Sequence, residues 1–212
     1  MSRRFKIFAG LATLLVVMAS CTSNTYEWNE RVSLEIVTPD GRLIATSTYH
    51  VVQTYSEDGN FAASNSHSTD VVGETVAIRL PSGRVLIADL PGSTNPRAMY
   101  AFLNIGSSTA AKLDAFATQT HGPAVLKPRY YPDFFMMSSS PEGLIFERLS
   151  SDVVLGELEP GVRLDRITIE VTDDPISEGQ LEVTVPGLFT AEALVCNSNP
   201  CEPKERWPRF IQ

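Results

Sequence analysis

Three cysteines and three histidines hold most of the chain's capacity for nucleophilic, redox or metal chemistry. Cys196 and Cys201 lie close together, separated by the turn-forming residues 197–200. Their spacing predicts a disulfide that closes a small loop and stabilises the fold by roughly 2 kcal/mol. A metal or redox role is the alternative, although the spacing differs from that of Cys-x-x-Cys motifs and no further Cys or His lies nearby.

The three histidines are isolated in the sequence. His67 and Asp70 lie in a polar segment rich in serine, which raises the hypothesis of a Ser/His/Asp hydrolase site. Such triads are assembled in space, however, and neighbours in sequence rarely supply them. His50 lies on a predicted strand, where a surface histidine is typical. His121 follows a predicted helix, whose dipole favours a protonated imidazole.

Sequence motifs for other chemistries are absent. The chain has no G-x-S-x-G elbow, no phosphate-binding P-loop, no G-x-G-x-x-G and no H-E-x-x-H. Asp173 and Asp174 precede Pro175, which indicates a turn, because a calcium loop needs more oxygen ligands at set spacings. We therefore predict no catalytic residue, no metal site and no cofactor.

Four aromatic residues form the one candidate ligand groove. Tyr130, Tyr131, Phe134 and Phe135 stand in a proline-rich segment over residues 123–141, which we interpret as partly extended and buried. The alternative is that these rings belong to the hydrophobic core, as large aromatic side chains usually do.

The N-terminus has the layout of a secretory signal peptide over residues 1–20. Three basic residues precede an uncharged apolar run over 7–18, and the small residues Ala19 and Ser20 follow. A membrane-spanning helix needs about 20 apolar residues, so the run is too short for a permanent span. Export also places the chain in an oxidising compartment, where disulfides persist.

Cys21 follows Met18-Ala19-Ser20 directly, an arrangement that resembles the lipobox of bacterial lipoproteins. The resemblance implies that Cys21 is lipidated and anchors the protein in a membrane, facing the periplasm. Met18 stands where the family usually has Leu. Thr22 stands where Asp would favour inner-membrane retention, which weights the expectation towards the outer membrane. An ordinary cleaved signal peptide with an incidental cysteine is the alternative.

The charge balance narrows the classes of partner. The full chain has a net charge of −8, and removal of the signal peptide reduces 17 basic residues to 14 against 25 acidic ones, which gives −11. Such a surface repels phosphate backbones, so we expect no nucleic-acid partner. Attraction to anionic lipid by charge is likewise unfavourable. The membrane partner would be held through the lipid anchor alone.

Hydrophobic periodicity predicts a β-rich domain. Alternation or apolar runs predict strands near residues 32–36, 42–53, 76–80, 85–90, 144–149, 166–172 and 181–185. Helical spacing predicts one helix after Asn95 and another near residues 110–117. The predicted class is α+β, an antiparallel sheet with two central helices on one face. A β-sandwich with a helical insertion is the alternative.

The predicted organisation is a signal peptide over 1–20, a lipidated tether over 21–25, a single domain over 26–202 and a C-terminal tail over 203–212. Removing residues 1–20 from the 212 leaves 192 residues, a length suited to one domain. Residues 56–70 are polar and predict a long loop.

Two stretches carry a wider family resemblance. Residues 26–41 begin YEWNERV and end EIVTPDG, and residues 161–176 read GVRLDRITIEVTDDPI. Both resemble a group of uncharacterised lipoprotein-like proteins of proteobacteria, in which a similar opening follows soon after the lipobox. The resemblance implies a β-rich protein of the cell envelope. It implies no activity and no catalytic residues.

These observations favour a non-enzymatic envelope lipoprotein that binds a protein or another envelope component. Two alternatives stay open. One is a periplasmic hydrolase whose site is assembled from distant residues, with His67 and Asp70 as its best indication. The other is a small-ligand binder that uses the aromatic segment.

Overall fold

The computed structural model describes residues 23–56, 66–90, 96–103, 110–140, 143–186, 193–196 and 202–203. The strands are β1 (Ser23–Thr38), β2 (Gly41–Ser56), β3 (Ser66–Gly73), β4 (Ala77–Arg79), β5 (Val85–Ala88), β6 (His121–Val125), β7 (Phe134–Ser140), β8 (Gly143–Arg148), β9 (Arg163–Thr172), β10 (Ala193–Cys196) and β11 (Glu202–Pro203). The helices are α1 (Arg97–Phe102), α2 (Ala110–Ala117), α3 (Ser151–Leu155) and α4 (Gln180–Thr184), with a 3-10 turn over Pro128–Tyr130.

The first sheet has the strand order β3-β2-β1-β9-β6 and is antiparallel throughout. Its centre is the long hairpin of β1 and β2, which pair continuously from Ser23 opposite Ser56 to Thr38 opposite Gly41. Pro39 and Asp40 alone connect the two strands, and Gly41 has a positive φ of 135° that other residues rarely adopt. Along β1 from Tyr26 onward, even-numbered residues are buried in the core and odd-numbered residues point outward.

The second sheet has the order β11-β10-β8-β7-β5-β4. Its neighbours are antiparallel except β8 and β10, which are parallel. One face shares a hydrophobic core with the first sheet, α1 and α2, through residues such as Leu86, Phe134 and Met136. The other face forms a smaller core that includes Leu181 and Val185. The second sheet is therefore covered on both faces.

The prediction of a β-rich chain is confirmed, since strands in two mainly antiparallel sheets dominate and the helices are few and short. The sequence predicted a single antiparallel sheet, whereas the described residues form two sheets that face each other across a shared core. Residues 76–80 and 85–90 supply strands of the second sheet, and their alternation does not reveal which sheet they join.

The predicted strand over residues 181–185 is wrong, because this segment forms α4. Leu181 and Val185 are buried, which fits both the i, i+4 face of a helix and the inner face of a strand. Val183 is 82% exposed, whereas a strand would place it on the same face as Leu181 and Val185. The buried carboxylate of Glu74 stabilises the helix. It accepts hydrogen bonds from the backbone N–H groups of Gly179 at 2.7 Å and Leu181 at 3.0 Å, which caps the first turn.

Two predicted boundaries also change. β1 begins at Ser23, so residues 23–25 of the expected tether belong to the sheet. β3 begins at Ser66, so the expected loop over 56–70 ends earlier than predicted and Asp70 lies within a strand. Both β1 and β3 are longer than predicted because each pairs with β2 as far as Ser56. Ser23 of β1 lies opposite Ser56 on one side, and Ser66 of β3 lies opposite it on the other.

Gly73 ends β3 at a close approach to β2. Its φ is +136°, and a Cβ there would lie 2.9 Å from both Tyr49 Cβ and Ile176 Cγ2. The position thus requires glycine for two reasons, its backbone conformation and the lack of space.

Candidate functional site

A buried polar cluster joins the first sheet to α1. Glu30, on the inner face of β1, is fully buried. Its Oε1 accepts a hydrogen bond of 2.6 Å from the hydroxyl of Tyr49, and its Oε2 accepts one of 3.1 Å from the backbone N–H of Ala98. Arg97 donates to the Tyr49 hydroxyl at 3.2 Å and also to the carbonyl of Asp89. We call Glu30, Tyr49, Arg97 and the Ala98 amide the buried polar cluster.

Burial controls the titration of this cluster. Loss of water raises the pKa of Glu30, while the Tyr49 hydroxyl, the charge of Arg97 and the Ala98 N–H act in the opposite direction. Burial and the adjacent Glu30 charge raise the pKa of Tyr49 well above its ordinary value.

The buried polar cluster is closed to ligands. Glu30 and Tyr49 are at most 1% exposed, so no substrate can reach the carboxylate or the phenol in this conformation. Glu30 satisfies one of the first backbone N–H groups of α1, that of Ala98, from the sheet. Its role in the described structure is to fix α1 against β1 and β2.

An open, polar cleft lies at one end of the first sheet. Its volume is about 700 Å³, within the range of about 300–1,000 Å³ found for ligand sites. It is formed by the N-terminal half of β1, the end of β9 and the residues that follow α2. We call it the polar cleft, and its lining residues are Glu27, Trp28, Asn29, Ala117, Thr118, Gln119, Thr120, Val171, Thr172 and Asp173.

Asn29 is the best-fixed side chain of the polar cleft. Its Oδ1 lies 2.8 Å from Nδ1 of His50 on the neighbouring strand, and its Nδ2 donates a hydrogen bond of 2.9 Å to the carbonyl of Asp174. His50 Nε2 also lies 3.6 Å from a carboxylate oxygen of Glu27. These contacts hold the Asn29 amide in one orientation at the margin of the cleft.

No family model, no curated protein and no solved structure matches this chain. The predicted likeness to proteobacterial lipoprotein-like proteins therefore stays a prediction.

The described residues contain neither a metal-binding cluster nor a helix suited to crossing a membrane. No group of three or more His, Cys, Asp or Glu side chains there could hold a metal ion. Asp174, considered for a cation loop, instead forms an ion pair with Arg31, which also bonds Glu170 at 2.8 Å. Of the helices described, none has the length and apolarity needed to cross a membrane.

The predicted cysteine sites lie outside what the structure describes. Cys21 and Cys201 are beyond the described residues. Cys196 is the last residue of β10, and nothing is described of its side chain. Lipidation and the disulfide consequently stay predictions.

The histidines do not form a common site. His50 lines the outer face of the first sheet beside Asn29. His121 stacks on Phe102 and Phe116, with ring centroids 5.1 and 4.6 Å apart, and its Nε2 lies 3.2 Å from the carbonyl of Phe116 near the end of α2. This contact agrees with the expected position beyond a helix terminus.

His67 and Asp70 occupy one strand, β3, and are three positions apart. An odd separation in a strand places two positions on opposite faces of the sheet. His67 pairs with Tyr55 in the register, while Asp70 pairs with Val52 and is exposed. The strand therefore does not bring the two residues together as a hydrolase site requires.

The four aromatic residues of the predicted groove are separated. Phe134 belongs to the core shared by both sheets, whereas Phe135, next along β7, belongs to the core on the opposite face. Tyr130 stacks on Tyr100 with ring centroids 4.4 Å apart. Tyr131 and Phe134 line a common cavity, which has a volume of about 170 Å³.

The polar cleft was not predicted from the sequence. Its residues come from three separate stretches, and each looks ordinary in isolation. A usable signal existed in β1, where Glu27 and Asn29 occupy outward positions of a strand whose inner face is apolar at Val32, Leu34 and Ile36.

Proposed function

We propose that this chain is a lipoprotein of the bacterial cell envelope, anchored by lipid on Cys21, facing the periplasm, with a binding rather than a catalytic role. The N-terminal pattern of a signal peptide followed by a lipobox-like cysteine is the basis of the anchor. The open polar cleft is the basis of the binding role. The partner would be an envelope component.

The observation that carries the proposal is the lipobox-like sequence Met18-Ala19-Ser20-Cys21 directly after the apolar run over residues 7–18. A protein cleaved before Cys21 would begin two residues before Ser23, the first residue of β1. Lipid on the cysteine would then hold the domain next to the bilayer, and several acyl chains make such an anchor durable.

Metabolic labelling with an alkynyl fatty acid tests the anchor. The wild-type chain, expressed in a Gram-negative host, should incorporate the label and fractionate with membranes. Cys21→Ala should lose both properties, while the double variant Cys196→Ala with Cys201→Ala should keep them as a matched control. An exported wild-type chain that carries no label would contradict the proposal.

We also propose the disulfide between Cys196 and Cys201, on the basis of their close spacing and the turn-forming residues between them. Val195 pairs with Glu202, and the two cysteines are the sequence neighbours of these paired residues. Non-reducing mass spectrometry of periplasmic protein should find this pair oxidised, and two free thiols would contradict it.

A further inference from the structure

We infer that the polar cleft binds an uncharged, hydroxyl-rich ligand, a glycan. This deepens the binding role and therefore rests on the proposed function. Amide and hydroxyl side chains outnumber all other polar groups in the lining, and they are Asn29, Thr118, Gln119, Thr120 and Thr172. Sugar hydroxyls both donate and accept hydrogen bonds, as these side chains do.

An anionic ligand does not fit the cleft. Among the described residues, no Lys or Arg lines it, and Arg31, nearby on β1, is engaged by Glu170 and Asp174. Glu27 and Asp173 instead make the lining negative. The chain's overall charge of −8 adds to the repulsion of phosphate and carboxylate groups.

An apolar ligand does not fit either. The apolar members of the lining are Trp28, Ala117 and Val171. Trp28 is 5% exposed and Val171 is 3% exposed, so both offer little surface for burying a hydrophobic molecule. Sites for apolar small molecules are usually lined mainly by hydrophobic and aromatic side chains.

Two groups of the lining are pre-oriented for hydrogen bonding. The Asn29 amide, held by His50 and by the carbonyl of Asp174, retains one N–H and one oxygen lone pair for a ligand. Thr118 Oγ1 donates to the carbonyl of Asp114 at 3.0 Å, which leaves its oxygen lone pairs available as acceptors. Fixed groups lose little entropy when they bind, which favours affinity for a matching pattern of hydroxyls.

The two carboxylates are compatible with this ligand class. An ionised carboxylate accepts hydrogen bonds from hydroxyl groups through two oxygens. Glu27 and Asp173 would therefore bind sugar hydroxyls while repelling acidic polymers. A cationic peptide is the competing ligand that the test must separate.

Tryptophan fluorescence provides the test, because Trp28 lines the cleft. The chain has two tryptophans, so Trp207→Phe makes Trp28 the sole reporter. This full-length variant would be titrated with tetra-N-acetylchitotetraose, maltotetraose, tetralysine and inorganic tripolyphosphate. We expect saturable binding of at least one tetrasaccharide and none of tripolyphosphate.

Two substitutions locate the binding. Gln119 is exposed and lines the cleft, so Gln119→Ala should weaken binding about fivefold, the effect of one lost hydrogen bond. Gln180→Ala, an exposed position at the start of α4, is the matched control and should leave affinity unchanged. Asn29→Ala provides a second cleft variant with an expected loss at least as large.

Three results would overturn the inference. These are no saturable response to either tetrasaccharide at millimolar concentration, binding of tetralysine without sugar binding, and sugar binding that neither cleft variant weakens. Fatty-acid labelling separates this failure from failure of the proposed anchor. A labelled protein that binds no sugar retains the lipoprotein proposal and loses only the glycan inference.

Discussion

The carboxylate of Glu30 and the hydroxyl of Tyr49 form a 2.6 Å hydrogen bond at the centre of the first sheet, where both side chains are buried. The two residues are 19 positions apart and lie on adjacent strands that form one hairpin. The bond links the hairpin to α1, because Arg97 contacts the same hydroxyl and Ala98 contacts the same carboxylate.

Tyr49→Phe should destabilise the fold substantially. The change removes the hydroxyl that satisfies Glu30 and Arg97 and leaves two buried charged groups short of a partner. The expected loss in free energy of unfolding is about 2–3 kcal/mol, measured by urea denaturation. Tyr130→Phe, at a half-buried tyrosine outside the cluster, is the matched control and should change stability by less than about 0.5 kcal/mol. Equal effects of the two variants would contradict the assignment.

Glu30→Gln should change the pH dependence of stability. Because burial raises the pKa of Glu30, the native state holds this proton more tightly than the unfolded chain does, so its contribution falls as pH rises from about 4.5 through the raised pKa. The free energy of unfolding of the wild type, minus that of the variant, should therefore decrease over this window.

Urea denaturation of both proteins from pH 4 to pH 8 measures that difference. Glu178→Gln, at an exposed position outside the buried polar cluster, controls for the general effect of removing a carboxyl. A difference that grows with pH would show that the cluster lowers the pKa of Glu30 and would refute the prediction.

Gly73→Ala should be costly because the position combines a positive φ with close neighbours. A methyl group would lie 2.9 Å from Tyr49 Cβ and Ile176 Cγ2, and the backbone conformation alone costs about 1–3 kcal/mol for a residue other than glycine. Thermal unfolding should show a clear drop in Tm. Gly122→Ala, in β6 with open space around it, is the control, and a similar drop there would argue against the steric explanation.

Arg166→Gln should raise the pKa of Glu35. Arg166 holds this carboxylate with two hydrogen bonds of 2.7 and 2.8 Å across β1 and β9, which lowers the pKa of Glu35 below its ordinary value of 4.5. The stabilisation is present above pH 4.5 and is lost as pH falls through the lowered pKa.

Carboxyl ¹³C NMR titration would follow Glu35 directly. In Arg166→Gln the titration midpoint of Glu35 should rise. Part of the lowering should remain, because Arg42 still contacts the Glu35 carboxylate at 3.2 Å. Arg163→Gln, at an exposed position on the same strand, should leave the midpoint in place. An unchanged midpoint in Arg166→Gln would rule out the bidentate pair in solution.

The strands that alternate cleanly could be predicted from the sequence. Val32, Leu34 and Ile36 of β1 lie at inward positions, so the pattern indicates both the strand and its buried face. Glu30 is also an even-numbered residue of β1, so the alternation of the strand alone predicts that its carboxylate lies in the core. Tyr49 lies directly opposite Glu30 in the β1–β2 register, so the short turn of this hairpin determines that partner. Arg97 could not be predicted as a partner, because it belongs to α1 and only the tertiary fold brings it within bonding distance.

Helix α4 and the polar cleft were beyond prediction for a related reason. Leu181 and Val185 fit two periodicities, and the capping carboxylate that selects the helix is Glu74, more than 100 positions away. The cleft is likewise a gap between β1, β9 and the end of α2. A gap depends on how three elements pack, and that information is not contained in any one of them.

The central position of β1 has a mechanical consequence. β1 is flanked by β2 and β9 in the first sheet, and the proposed lipid would be attached just before its first residue. A force that pulls the domain away from the bilayer would act along the axis of this strand. Such a force would shear the hydrogen bonds between β1 and both neighbouring strands together. The domain would therefore resist unfolding from its anchored end.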